Sequence, residues 1–275
     1  MLAELVDRAA LKREAAAALR SAQVSPRAFV LLFMALTLAM DLVDSFSGEG
    51  ILGIFVSILV ILLTLMLNTG FVLYTMAVRR GERAEFLTLF DAFSFAGKLI
   101  ALYLLKFLFI FLWSMLFTIP GLVAAYRYRF AVFNLCENPE ISPLEAIDMS
   151  KRQTWGYKGQ LLILDITYLG WMLLASAPYL IYTTGLFFAI LQEGGAYYGA
   201  GAFPLPDIIS LLPVWGWVLV MGLWQLVIAP FYLPNRQYVE LGYFETAKRT
   251  SGVGLGVTPP PPWNEGRGPD GLGGF

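Results

Sequence analysis

Long apolar stretches alternate along this chain with short segments that hold nearly all of its charge. The apolar runs cover Ala28 to about Val43, Ile51 to about Val78, Leu99–Thr118, Leu122–Cys136, Gln160–Leu191 and Ile208–Tyr232. A helix that crosses a membrane needs about 20 apolar residues to traverse roughly 30 Å of hydrocarbon. The second, third and sixth runs meet that length outright, and the first and fourth sit at the short end. The fifth is too long for one upright crossing. Pro178 inside it is expected to end or kink the helix, leaving 179–191 as a tilted continuation or an outer interfacial piece. The pattern predicts an all-α fold: a polytopic membrane bundle of about six transmembrane helices with short amphipathic helices at one side.

The placement of basic residues orients this bundle. Six crossings put segments 1–27, 79–98, 137–158 and the chain after Tyr232 on one side. Those segments include Arg8, Lys12, Arg27, Arg79, Arg80, Lys98, Lys151, Arg152, Lys158, Arg236 and Lys248. The opposite segments, 44–50, 119–121 and 192–207, contain no Lys or Arg. An excess of basic charge marks the cytoplasmic side, so both termini are expected there. Without the fourth crossing, Lys151, Arg152 and Lys158 would fall outside.

Three basic-side segments, 4–20, 84–95 and 143–155, read as short amphipathic helices, each leading into an outgoing and a returning span. The chain divides into an amphipathic N-terminal helix (1–27), a six-span domain (28–249) and a Gly- and Pro-rich tail (250–275). That tail cannot bury a core and is expected to be disordered. The first 20 residues mix acids and bases and do not read as a cleavable leader.

Composition narrows the chemistry. Charged residues make up 14% and hydrophobic ones 58%, against about 25% charged in an ordinary soluble domain. A formal net charge of −1 points away from nucleic acid. The single cysteine, Cys136, excludes an intramolecular disulfide, and the absence of histidine excludes His-dependent triads and imidazole metal sites. No cofactor or metal is implied, and no enzyme is expected.

The charges inside the apolar runs stand out against this background. In "IPGLVAAYRYRFAVF" (119–133), Arg127 and Arg129 lie roughly 10–14 Å from the inner end of the fourth run, at about 1.5 Å per helical residue. Lys106 in the third run and Asp165 in the fifth fall at similar depth. A carboxylate there costs about 2.5–3.5 kcal/mol unless paired, so Asp165 is expected to meet Lys106 or one of the arginines. Tyr126 and Tyr128 flank the arginines as hydrogen-bonding partners, and Lys158 sits at the start of the fifth run. With one acid against three bases, the surplus charge must reach the interface, hold an anionic lipid headgroup, or line a wet cavity. Asn68 and Gln225 are expected to bond between helices, at about 0.6 kcal/mol each. Gly70, Gly170, Gly216 and Gly222 are expected to allow close packing.

The stretch "SKRQTWGYKGQLLILDITYLGW" (150–171) resembles the hallmark of a family of bacterial integral membrane proteins catalogued as domain of unknown function 975. The match falls on Ser150, Lys151, Gly156, Lys158, Leu164, Asp165, Gly170 and Trp171. Ile119-Pro120-Gly121, Tyr128, Pro139, Glu145 and Ala146 precede it in the family's order. "LKREAAAAL" and "PFYLPNRQYVELGYFE" are similar to its opening and closing segments. Tyr157 stands where the family commonly carries a histidine. The resemblance implies a membrane-embedded helical fold in the bacterial inner membrane and carries no established activity. The functional expectation is a non-enzymatic membrane module that binds lipid or a partner protein, which includes a second copy of itself. The alternative is a small transporter or permease component with a cytoplasm-facing basic cavity.

Overall fold

The computed structural model describes residues 4–48, 50–193 and 209–255, and all regular structure among them is helical. The elements are α1 (Arg8–Ser21), α2 (Pro26–Phe46), α3 (Ile51–Arg80), a 3-10 segment (Phe86–Phe95), α4 (Ala96–Leu116), α5 (Thr118–Arg127), α6 (Ala131–Glu137), α7 (Pro143–Gln153), α8 (Lys158–Glu193) and α9 (Val214–Ser251).

Each boundary follows from local chemistry. Asp7 caps α1 by accepting from the amides of Ala9 and Ala10, and Ser142 caps α7 by accepting from Glu145. Pro26 and Pro143 occupy first-turn positions, where a missing N–H does no harm. Gly81, at φ 72°, closes α3 in the left-handed conformation that glycine adopts freely.

Five segments are long and apolar enough to cross a membrane: Pro26–Phe46, Ile51–Arg80, Phe86–Leu116, Lys158–Leu191 and Val214–Ser251. Their outward faces are apolar. In α4 only Leu99 and Leu102 are buried, and Leu104, Phe107, Phe111 and Leu116 are exposed. Exposed apolar surface on this scale is what lipid covers.

The expected fourth span is not one helix. It is a ten-residue α5 and a seven-residue α6 separated at Tyr128–Phe130, and neither reaches the crossing length alone. In contrast, Pro178 does not end its helix: α8 continues through it to Glu193, so 179–191 is a helical continuation. The sixth run also extends past Tyr232 to Ser251, through Pro230 and Pro234. Most of the expected outer segment 192–207, and the tail from 256 onward, lie outside the described residues.

The chain forms two compact units. One is Phe95–Lys158 with the start of the chain to Glu4 and the chain from Phe244; the other is Leu5–Ser94 with Gly159–Tyr243. In the first, Phe244 packs edge-on against Phe130 and Phe133 at 5.5 and 5.4 Å between ring centroids. Buried Leu135, Ala146 and Ile147 add to that core.

In the second, α8 and α9 run antiparallel and meet through a series of paired residues. Asp165 pairs with Arg236, Tyr168 with Asn235 and Trp171 with Tyr232. Beyond these, Trp224 and Gln225 donate to the carbonyls of Leu174 and Ala175, and Tyr182 meets Trp217.

Gly70 and Gly222 act as the sequence predicts. A Cβ at Gly70 would collide with the Leu89 backbone of the 3-10 segment, and one at Gly222 with the Leu38 side chain. Gly216 is tighter than most sites, with Leu212 Cβ 3.2 Å from an added Cβ, whereas Gly170 faces open space. Gln225 bonds between helices as expected. Asn68 does not: it is exposed, and its amide donates to Thr64 O of its own helix at 2.8 Å.

Candidate functional site

The interruption between α5 and α6 builds a buried polar network in the first unit. In a continuous helix the Ala131 amide would donate to Arg127 O, but it donates to Tyr128 O instead, at 3.3 Å. The freed Arg127 carbonyl accepts from two α7 hydroxyls, Ser150 Oγ at 2.9 Å and Thr154 Oγ1 at 3.2 Å. Ser150 Oγ in turn accepts from the Phe130 amide at 3.1 Å. One α7 face therefore takes over the hydrogen bonds that the break releases.

Deeper in, Asn134 and Gln153 form a reciprocal amide pair, both bonds 2.8 Å, with the two residues 1% and 0% exposed. Lys98 anchors the α6–α7 loop by donating to Pro139 O and Glu140 O. A buried network this fully satisfied holds α5, α6 and α7 in a single register.

That register places the Arg127 side chain on a cavity of about 640 Å3 formed with α7 and the end of α9. Arg127, Lys151 and Arg152 line it, with Asp148 as the carboxylate. Asp148 sits 2.7 Å from Arg152 and 3.7 Å from Lys151, so three cations face one acid. Gln153, Tyr157, Thr250 and Ser251 supply neutral hydrogen-bonding groups. Trp155, 73% exposed, stands at the rim, and Lys158 Nζ lies 5.6 Å from its ring centroid. The Tyr157 hydroxyl is shared between the Glu4 amide and Thr250. It bonds the start of the chain to α9 where the family resemblance expects a histidine.

The residues expected to form one charged layer are distributed over both units. Lys106, Tyr126, Arg127, Tyr128, Arg129 and Lys158 belong to the first. Lys106 lies 5.4 Å from the Tyr103 ring centroid and Arg129 5.5 Å from that of Tyr126. Tyr128 is buried against Phe109. Asp165 belongs to the second unit, where it accepts from Arg236 at 3.1 Å, each side chain about one-fifth exposed. One turn along, Tyr168 donates to Asn235 at 2.5 Å, and Lys12 lies 4.6 Å from the Tyr168 ring centroid.

Sequence reasoning missed Arg236 because the sixth span was ended at Tyr232; continuing the helix through Pro234 brings it opposite Asp165. The sequence also gives Lys151 and Arg152 no place in the charged layer: both read as topogenic charge, with Lys151 in the family motif as well. Their signal was Ser150 and Thr154, spaced one helical turn apart beside them. Among the described residues no group of three or more Asp, Glu or Cys gathers as metal ligands.

Apolar spans and a basic cavity beside them define a polytopic α-helical membrane protein. The chain belongs to the family described as Protein of unknown function (DUF975), whose model matches residues 1–131 and 115–200. No curated protein and no solved structure matches it.

Proposed function

We propose that this protein is a non-enzymatic membrane module that holds an anionic lipid headgroup in the α7 cavity. The observation that carries the reading is the convergence of Arg127, Lys151 and Arg152 on one cavity beside a single carboxylate. Hydrogen bonds to charged groups are worth about 1.5–3 kcal/mol each, so three cations can hold a phosphate or carboxylate firmly. The cavity's carboxylate, Asp148, is engaged by Lys151 and Arg152, which supports binding over acid–base chemistry. Exposed Trp155 suits an interfacial position, where aromatic rings prefer to lie. The basic ends of the spans favour a cytoplasmic location for this cavity, with the module in a bacterial inner membrane.

The test is purification from native membranes in mild detergent, with lipid analysis and proteomics of the co-purifying material. An anionic lipid should be enriched with the wild type and reduced about tenfold in Arg127→Gln/Lys151→Gln. That reduction corresponds to about 1.4 kcal/mol. Enrichment unchanged in the double variant rejects the reading. Loss of a specific protein in place of a lipid reassigns the cavity to an acidic partner segment.

A further inference from the structure

A second polar recess lies in the other unit and shares no residue with the α7 cavity. The end of α1, the start of α2 and the proline-bearing part of α9 enclose a notch of about 560 Å3. Its polar lining is Arg20, Gln23, Ser25, Arg27 and Asn235, without a carboxylate. Two guanidinium charges thus share one recess with no acid on its walls.

Each wall contributes for a reason written in its sequence. Ser25 precedes α2 but makes no side-chain capping bond. Its carbonyl accepts the Phe29 amide at 3.0 Å, while the first-turn amides of Arg27 and Ala28 have no acceptor within the helix. The start of this 21-residue helix therefore adds positive potential to the two arginines. The Arg27 guanidinium lies 5.6 Å from the Phe231 ring centroid, a cation–π contact that holds it against α9. On α9, Pro230 and Pro234 lie one turn apart on the face that lines the notch. Proline lacks an N–H, so Pro230 leaves the Leu226 carbonyl without a helix donor and Pro234 leaves that of Pro230. Along a helix these carbonyls point toward the prolines, on the same face.

The notch therefore combines cationic donors on one side with a proline-bearing helix face, whose carbonyls lack their usual helix amide, on the other. Arg27 is the second residue of a helix long and apolar enough to cross a membrane. This places the recess where apolar surface gives way to polar, at the level of phospholipid headgroups. The geometry points to a phosphate-binding site: Arg20, Arg27 and the first amides of α2 receive a phosphate group. The α9 carbonyls receive hydroxyl or ammonium donors of the same headgroup. A phosphodiester lipid with donor groups fits both walls, and a free phosphate fits one.

The full-length protein in mild detergent can be titrated separately with phosphatidylglycerol, phosphatidylcholine and inorganic phosphate. Native mass spectrometry reads bound lipid, and thermal denaturation reads stabilisation. Phosphatidylglycerol should bind and raise Tm, with phosphatidylcholine weaker because its headgroup has no donor. Arg20→Gln/Arg27→Gln should weaken phosphatidylglycerol at least tenfold, while Arg127→Gln leaves this binding phase in place. Both arginines are exposed, so the double variant should fold, and Arg20→Lys/Arg27→Lys should recover part of the affinity. Stabilisation by phosphatidylglycerol alone assigns the ligand to lipid. Stabilisation by inorganic phosphate, lost in the same Gln double variant, assigns it to free phosphate. Affinity for both that is absent in the wild type, or unchanged in the Gln double variant, overturns the site. Because the arginines of the α7 cavity are varied independently, failure at one site leaves the other result standing.

Discussion

At the scale of single residues, Arg127 and Arg129 diverge at one peptide carbonyl. The Arg127 carbonyl leaves the helical ladder and passes to Ser150 and Thr154. Its side chain then lines the α7 cavity, while Arg129 lies against Tyr126. Ser150 both donates to that carbonyl and accepts from Phe130, at 0% exposure. Ser150→Ala should therefore leave the buried Phe130 amide without its acceptor and the Arg127 carbonyl with Thr154 alone, and destabilise by about 2 kcal/mol. Thermal denaturation in detergent measures this, and an unchanged Tm would show that the hydroxyl does not hold the break. Ser150 was visible in the sequence as part of a motif. Its role was not, because the carbonyl it serves lies 23 residues earlier.

At the scale of elements, α8 shows how a helix continues through a proline. Pro178 cannot donate to the Leu174 carbonyl, and the Trp224 indole of α9 donates to it at 2.8 Å. Gln225 supplies the neighbouring Ala175 carbonyl at 3.0 Å. A freed carbonyl facing lipid would cost several kcal/mol, so the neighbouring helix makes an uninterrupted α8 possible. Trp224→Phe should lower stability in the wild type and do so by at least about 1 kcal/mol less in a Pro178→Ala background. Equal losses in both backgrounds would dissociate the indole from the proline. Read alone, Pro178 predicts an end or a kink, because its compensating donor lies some 50 residues away. The reverse holds at 122–136. An apolar run reads as one span, yet hydroxyls and amides on α7 divide it into α5 and α6.

At the scale of the whole molecule, the number of crossings sets the side on which each helix end lies. Five segments have the length and apolarity to cross, and 118–137 is divided between two short helices. If that segment also crosses, Ser21 and Ser251 share one side of the membrane; if it does not, they lie on opposite sides. Cys136 is the chain's one cysteine, so a Cys136→Ala background permits single-cysteine labelling with an impermeant maleimide. Ser47→Cys should react in intact cells, and Ser21→Cys and Ser251→Cys only after permeabilisation. Labelling of Ser251→Cys in intact cells would reduce the count to five.

The sequence alone determined the solvent of this protein. Apolar runs of membrane length and 14% charge leave few alternatives to a helical membrane fold, since a backbone in lipid must satisfy its own hydrogen bonds. The family was legible too, from Ser150 to Trp171. Tertiary structure alone decided which polar groups meet. Arg236 reaches Asp165 only because α9 continues past Pro234, and Arg127 reaches Lys151 and Arg152 only because α7 captures a broken helix. Arg20 and Arg27 share a recess only because α1 and α2 fold against the prolines of α9. Periodicity reports the burial of a face, which is a local property. The pairing of charges depends on helix ends and interruptions, and these are set by donors and acceptors far away in the chain.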